Sequence, residues 1–188
     1  VELKFSAENA SKEVKISQGH PFGSNAPANA IFYEALETGM GGFTLSEVKV
    51  PEGLSAVWQH TPQYKCMKAT AYFNNTNYES ESWLISPEID LSGYTDCYFT
   101  FDHAGLYFGD ITQEATVWIS KDGGDWTQLM IDPNDYPASW TFMSAGEWDL
   151  ASYIGSKVRF GFKYSSTAKK AGTWEVCHVA VISGKSSR

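Results

Sequence analysis

Two glutamates, Glu34 and Glu37, sit in the segment Phe32-Tyr33-Glu34-Ala35-Leu36-Glu37-Thr38-Gly39, just ahead of a glycine-rich bend. Carboxylate oxygens beside a bend with free backbone carbonyls suit a hard cation such as calcium; the other reading is a polar strand edge. A third carboxylate, Glu175, stands in the run Trp174 to Ile182, which is apolar on both faces. Burying an unpaired carboxylate costs several kcal/mol, so Glu175 requires a cation, a Lys or Arg, or a proton with hydrogen bonds. A structural calcium joining the first and last strands of the fold would meet that need through Glu34, Glu37 and Glu175, with Asp102 a further oxygen donor.

Other reactive groups form no recognisable chemistry. The histidines His20, His60, His103 and His178 are scattered, with no H-x-H or H-E-x-x-H pair. His103 and His178 read as hydrogen-bonded core or half-buried residues. The three cysteines, Cys66, Cys97 and Cys177, lack zinc-finger spacing. Each lies in an apolar, strand-like run, either as a small buried side chain or as part of one disulfide with a thiol left over. There is no G-x-S-x-G elbow and no phosphate-binding loop. With no set of acid, base and nucleophile, the expectation is a protein that is not an enzyme.

Aromatic residues make up 15% of the chain and gather near turn-like segments: Trp58 and Tyr64, Tyr72-Phe73 and Tyr78, Tyr107-Phe108, Tyr136 and Trp140. Exposed rings stack on sugar faces or anchor protein partners. Trp58, Tyr107 and Trp140 are the candidate ligand-binding residues, with a glycan or an extracellular protein as partner. The net charge of −8 and pI near 4.9 disfavour contact with a phosphate backbone, so nucleic acid is not an expected partner. No stretch is long and apolar enough for a transmembrane helix. The sequence is read as a mature or trimmed portion of a secreted or outer-membrane surface protein, with signal peptide and any lipid anchor outside it.

These residues must be positioned by sheets. Cys97, Phe99 and Phe101 alternate with Tyr98, Thr100 and Asp102. Ala115, Val117 and Ile119 alternate with Thr116, Trp118 and Ser120. Val158, Phe160, Phe162 and Tyr164 oppose Lys157, Arg159 and Lys163. A period of two marks half-buried antiparallel strands, and Trp174 to Ile182 reads as a central strand covered on both sides. Ser120 to Trp126 superficially resembles an Asp-box turn, but a hairpin between Val117–Ile119 and Trp126–Met130 explains it. Asp149 to Gly155 predicts one short helical turn capped by Asp149. The fold class is an all-β jelly-roll sandwich of two antiparallel sheets. Residues 1–30 form an N-terminal β-arm and linker, with a hairpin around Asn9-Ala10-Ser11 followed by Gly19 to Asn29, and residues 31–185 form the sandwich.

Several stretches together resemble the choice-of-anchor J and cleaved-adhesin domains. These are Phe32 to Gly39, the central Ser82-Trp83-Leu84-Ile85-Ser86-Pro87-Glu88-Ile89-Asp90-Leu91-Ser92-Gly93, Val117 to Ser120, Trp148 to Gly155, and the ending Gly172-Thr173-Trp174-Glu175-Val176. The resemblance covers about residues 31 to 183. It implies a jelly roll akin to MAM and carbohydrate-binding modules of exported Bacteroidetes-type proteins, either a binding module or a spacer or accessory domain of a larger surface protein or secreted hydrolase. It also implies a calcium held by the opening glutamates and Glu175. The chain departs from the pattern at Cys177 and His178, where acidic residues usually follow.

Overall fold

A computed structural model describes residues 2–7, 10–15 and 25–184. Two six-stranded antiparallel sheets face each other, as the period-two pattern requires. The first runs β13 (Trp126–Leu129), β12 (Ala115–Lys121), β15 (Lys157–Ser166), β9 (Ser80–Ile85) and β4 (Thr44–Lys49), with β10 (Ile89–Asp90) also on β15. The second runs β14 (Met143–Asp149), β11 (Cys97–Leu106), β16 (Thr173–Ser183), β6 (Cys66–Thr70) and β5 (Trp58–Thr61), with β3 (Ala30–Glu34) also on β16. A small hairpin joins β7 (Tyr72–Phe73) to β8 (Thr76–Asn77). The N-terminal hairpin pairs β1 (Glu2–Ala7) with β2 (Ala10–Lys15). His20 and the stretch from Gly19 to Ser24 of the expected linker lie outside the described residues. From Asn25 the chain packs on the second sheet, where Asn29 Nδ2 donates to the Ser183 carbonyl at 2.8 Å.

The inward faces interlock through aromatic rings. Phe99 of β11 stacks on Phe160 of β15 at 3.7 Å between centroids and 5° between planes, and Phe101 meets Phe162 edge-on at 4.9 Å. Both pairs join the two sheets, so the alternation read from the sequence is the alternation of the core. The Lys121 to Trp126 turn is a hairpin held by Ser120 Oγ donating to the Gly124 carbonyl at 2.6 Å. The short helical turn is a 3₁₀ turn at Ala151–Tyr153, and the Asp149 carboxylate accepts from the Ala151 N–H at 2.8 Å. One four-residue helix, α1 (Ile111–Glu114), has no periodic signal because a single turn is too short to carry one.

β16 is central, as expected, and changes partners along one edge. Residues 173–176 pair with β6 and residues 179–182 with β3, while β11 holds the other edge throughout. At the junction the β11 register jumps from Asp102–Cys177 to Thr100–Ala180, so β16 carries one extra residue there. That residue count is a β-bulge. His178, within it, has φ 51°, a left-handed conformation that is uncommon for a residue other than glycine.

Candidate functional site

The outer face of the second sheet carries the chemistry. Trp174, Val176, Val179 and Val181 of β16 point into the core. Ala180 and Ile182 point outward and pack with Tyr33. In a regular strand Cys177 and His178 would face opposite ways. The bulge re-aims them: Cys177 Sγ, a ring nitrogen of His178 and a carboxylate oxygen of Asp102 all lie within 4.8 Å of one another. His178 Nδ1 lies 2.9 Å from Asp102 Oδ2, and its Nε2 lies 3.5 Å from Glu37 Oε1. The backbone fixes the ring from behind, with the His178 N–H donating to the Ala35 carbonyl at 3.2 Å. Tyr33 stacks on the imidazole at 6.3 Å. A depression of about 340 Å³ opens over these groups.

The surrounding electrostatics are negative. The Asp102 hydrogen bond, with the charges of Asp102 and Glu37, raises the His178 pKa against the opposing effect of burial. Burial raises the Cys177 thiol far above its ordinary value, and Asp102, Cys66, Glu37 and Glu175 push the same way. The thiol is therefore protonated at neutral pH. The imidazole directs its nitrogens to two carboxylates, which does not suit Cys177 to nucleophilic catalysis.

The four carboxylates singled out from the sequence are not gathered into one calcium cage. Glu34 turns back into its own loop, accepting from the Leu36 N–H at 3.2 Å and lying against Gly41, where it fills the space a Cβ would need. Glu175 is buried, as its place in an apolar strand predicted, but Lys68 stands directly opposite in the β6–β16 ladder. Burial raises the Glu175 pKa and the Lys68 charge opposes that rise. Only Glu37 and Asp102 meet, on either side of His178.

The aromatic residues divide in the same way. Trp58 is 1% exposed and packs against Trp174 at 5.5 Å, so it is core and offers no ring face to a ligand. It opens a strand of four residues, too short for alternation to show which way it points. Tyr107 is 65% exposed and Trp140 46%, and their rings meet at 6.0 Å. They form a ridge between two clefts. One, of about 470 Å³, is lined by Tyr72, Asn77, Tyr107, Lys169, Lys170 and Thr173 among others; the second, of about 430 Å³, is lined by Tyr64, Lys68, Trp140, Phe142, Thr173 and Glu175. Thr173 lines both, so the two clefts adjoin at that residue. Tyr64 and Tyr72 therefore join Tyr107 and Trp140, and their neighbourhood to turns was the signal for them in the sequence.

Local structure holds this ridge in place. Tyr107 has φ 71°, in the left-handed region, while the adjacent Gly109 and Asp110 N–H groups donate to the Glu114 carboxylate. The Gly105 N–H of β11 donates to the Ser139 carbonyl at 3.1 Å, tying down the loop that carries Trp140. A strained backbone at an exposed aromatic residue is a recurring property of binding surfaces. A second aromatic group, Trp83, Trp118 and Trp126, covers the outer face of the first sheet. Trp83 packs on Trp118 and Trp126 at 5.5 to 5.7 Å and Lys163 sits over Trp83, so these rings are held against one another and their own sheet.

No family model matches this chain, and no curated protein matches its sequence. Solved structures do match its shape. The K1 cleaved adhesin domain of the Lys-gingipain of Porphyromonas gingivalis is 12% identical and superposes with a TM-score of 0.52 over 82% of this chain and 98% of that domain. The K3 cleaved adhesin domain of the same protein is 14% identical, with a TM-score of 0.51 over 82% of this chain and 99% of that domain. The carbohydrate recognition domain of Emp47p is 10% identical, with a TM-score of 0.52 over 86% of this chain and all of that domain. The chain has a cleaved-adhesin-like β-sandwich fold.

Proposed function

We propose that this chain is an exported, non-catalytic recognition module that binds a glycan at the two adjoining clefts flanking Tyr107 and Trp140. The observation that carries this reading is the exposed ridge of Tyr107 and Trp140, held on a fixed loop between two clefts that offer both aromatic and hydrogen-bonding groups. Sugar rings present apolar faces for stacking and hydroxyls for hydrogen bonds. Tyr64, Tyr107 and Trp140 supply the first, and Lys68, Lys169 and Lys170 the second. The carbohydrate-recognition and adhesin domains of similar shape support the class of function and an extracellular setting, and the central Trp83-Leu84-Ile85-Ser86-Pro87 stretch supports kinship with choice-of-anchor J domains. Residues 1–30 are an arm that joins the module to its surroundings.

A glycan array probed with the full chain tests this reading. Binding to a defined set of glycans is expected, weakened roughly 30-fold when Tyr107 or Trp140 becomes Ala, which corresponds to about 2 kcal/mol for a stacking anchor. Absence of binding across a broad array, or binding indifferent to both substitutions, would overturn it.

A further inference from the structure

We infer that Cys177, His178 and Asp102 form a binding site for a late first-row divalent cation of the zinc type. Three donors of different chemistry, a thiol, an imidazole and a carboxylate, converge within 4.8 Å on one face of a strand pair. They come from positions 76 residues apart in the chain, joined by the β11–β16 ladder. The convergence depends on the bulge. Without the extra residue at His178 the ring would enter the core, and its φ of 51° is the conformation that keeps it out. A strained backbone that brings successive side chains to one point is an arrangement a ligand can exploit.

The donor set selects the cation. Thiolate and imidazole favour zinc and its neighbours, whereas calcium and magnesium require oxygen. Glu175, opposite Lys68 in the ladder, and Glu34, turned into its own loop, lie outside the cluster, so it does not offer the carboxylates a calcium shell would need. His178 presents Nδ1 toward Asp102 and leaves Nε2 facing Glu37 at 3.5 Å. An imidazole that ligates through one nitrogen and donates from the other to a carboxylate is the arrangement that orients metal-binding histidines. From the imidazolium hydrogen-bonded to both carboxylates, the cation displaces the Nδ1 proton and the proton of the Cys177 thiol, both of which leave to solvent, while Nε2 keeps its proton and donates to Glu37. With His178 and Asp102 partly exposed, water completes the coordination.

The site shares no lining residue with the two clefts and does not rest on the glycan reading. Cobalt titration of the reduced full chain tests it. One cobalt per chain is expected, with the thiolate-to-cobalt charge-transfer band of a cysteine ligand. The band disappears in Cys177→Ser and persists in Cys66→Ser, Cys97→Ser and Tyr107→Ala. Should Cys177→Ser not fold, His178→Gln serves in its place, with affinity weakened more than tenfold, and Glu37→Gln weakens it about tenfold. Zinc raises the melting temperature of the wild type and not of Cys177→Ser. No charge-transfer band, a band that survives Cys177→Ser, or a melting temperature raised by calcium and not by zinc would overturn the assignment.

Discussion

The indole N–H of Trp174 donates to Nδ1 of His103 at 3.3 Å inside the core, while Nε2 of the same ring lies 2.7 Å from the Asp135 carbonyl. The ring is thus held as the neutral tautomer protonated on Nε2. Burial lowers its pKa from 6.5 to about 4, against the smaller opposing effects of the Asp135 carbonyl and nearby carboxylates. Below pH 6.5 the unfolded chain takes up a proton that the folded chain refuses until about pH 4. Stability is therefore full above pH 6.5, falls as the pH drops through this window, and is not lowered further by this group below it. At about 1.4 kcal/mol per unit the loss is on the order of 3 kcal/mol. Urea unfolding at pH 7, 5.5 and 4 is expected to show this slope in the wild type and a shallower one in His103→Gln. Equal slopes in both would remove His103 as the source.

Trp58 and Tyr107 are expected to respond oppositely to the same substitution. Trp58→Ala empties a buried space beside Trp174 and should cost about 3 to 5 kcal/mol of stability. Tyr107→Ala removes an exposed ring and should change stability by no more than about 0.5 kcal/mol. Denaturant midpoints measure both. A marginal effect at Trp58 would mean that its ring is not part of the core.

Gly41 lies in the left-handed region at φ 58°, and a Cβ there would meet the Glu34 carboxylate. Gly41→Ala should destabilise by about 1 to 2 kcal/mol through backbone strain and displacement of Glu34. Glu34→Ala in the same background should relieve the clash and leave the backbone cost. A double-mutant cycle measured by thermal unfolding separates the two effects, and strict additivity would argue against the clash.

All three cysteines are buried and free, with Cys66 and Cys97 fully covered and Cys177 3% exposed. Burial pushes the Cys66 thiol up to about 12, with Glu175 adding to it. A disulfide-exchange reagent at pH 8 should find almost no thiol in the folded protein and three in denaturant. A count of one in denaturant would reveal the single disulfide that the odd cysteine count left open.

The sandwich was legible because its signal is local. Phe99, Phe101, Phe160 and Phe162 declare their faces by position alone, and the doubly apolar run around Val176 identified the central strand. Glu175 stood out as a buried charge for the same reason. Its partner did not, because the pairing with Lys68 is set by ladder register across more than a hundred residues. The site at Cys177 and His178 was hidden for a stronger reason. Alternation assigns neighbouring residues to opposite faces, and only the bulge, a property of the register between β11 and β16, places both side chains beside Asp102. Trp58 failed in the reverse sense, since a four-residue strand beside a turn looks like a loop in sequence.

The strand that pairs with β11, β6 and β3 together is the last in the sandwich. Until Thr173 to Ser183 is in place, the three earlier strands present unsatisfied backbone edges and Phe99 and Phe101 lack a complete wall. Any fragment ending before Thr173 therefore exposes sticky edges, and assembly of the sheet waits for its final eleven-residue strand. Such ordering makes premature truncation a route to aggregation, and it favours keeping the nascent chain unfolded until the whole sandwich has been delivered.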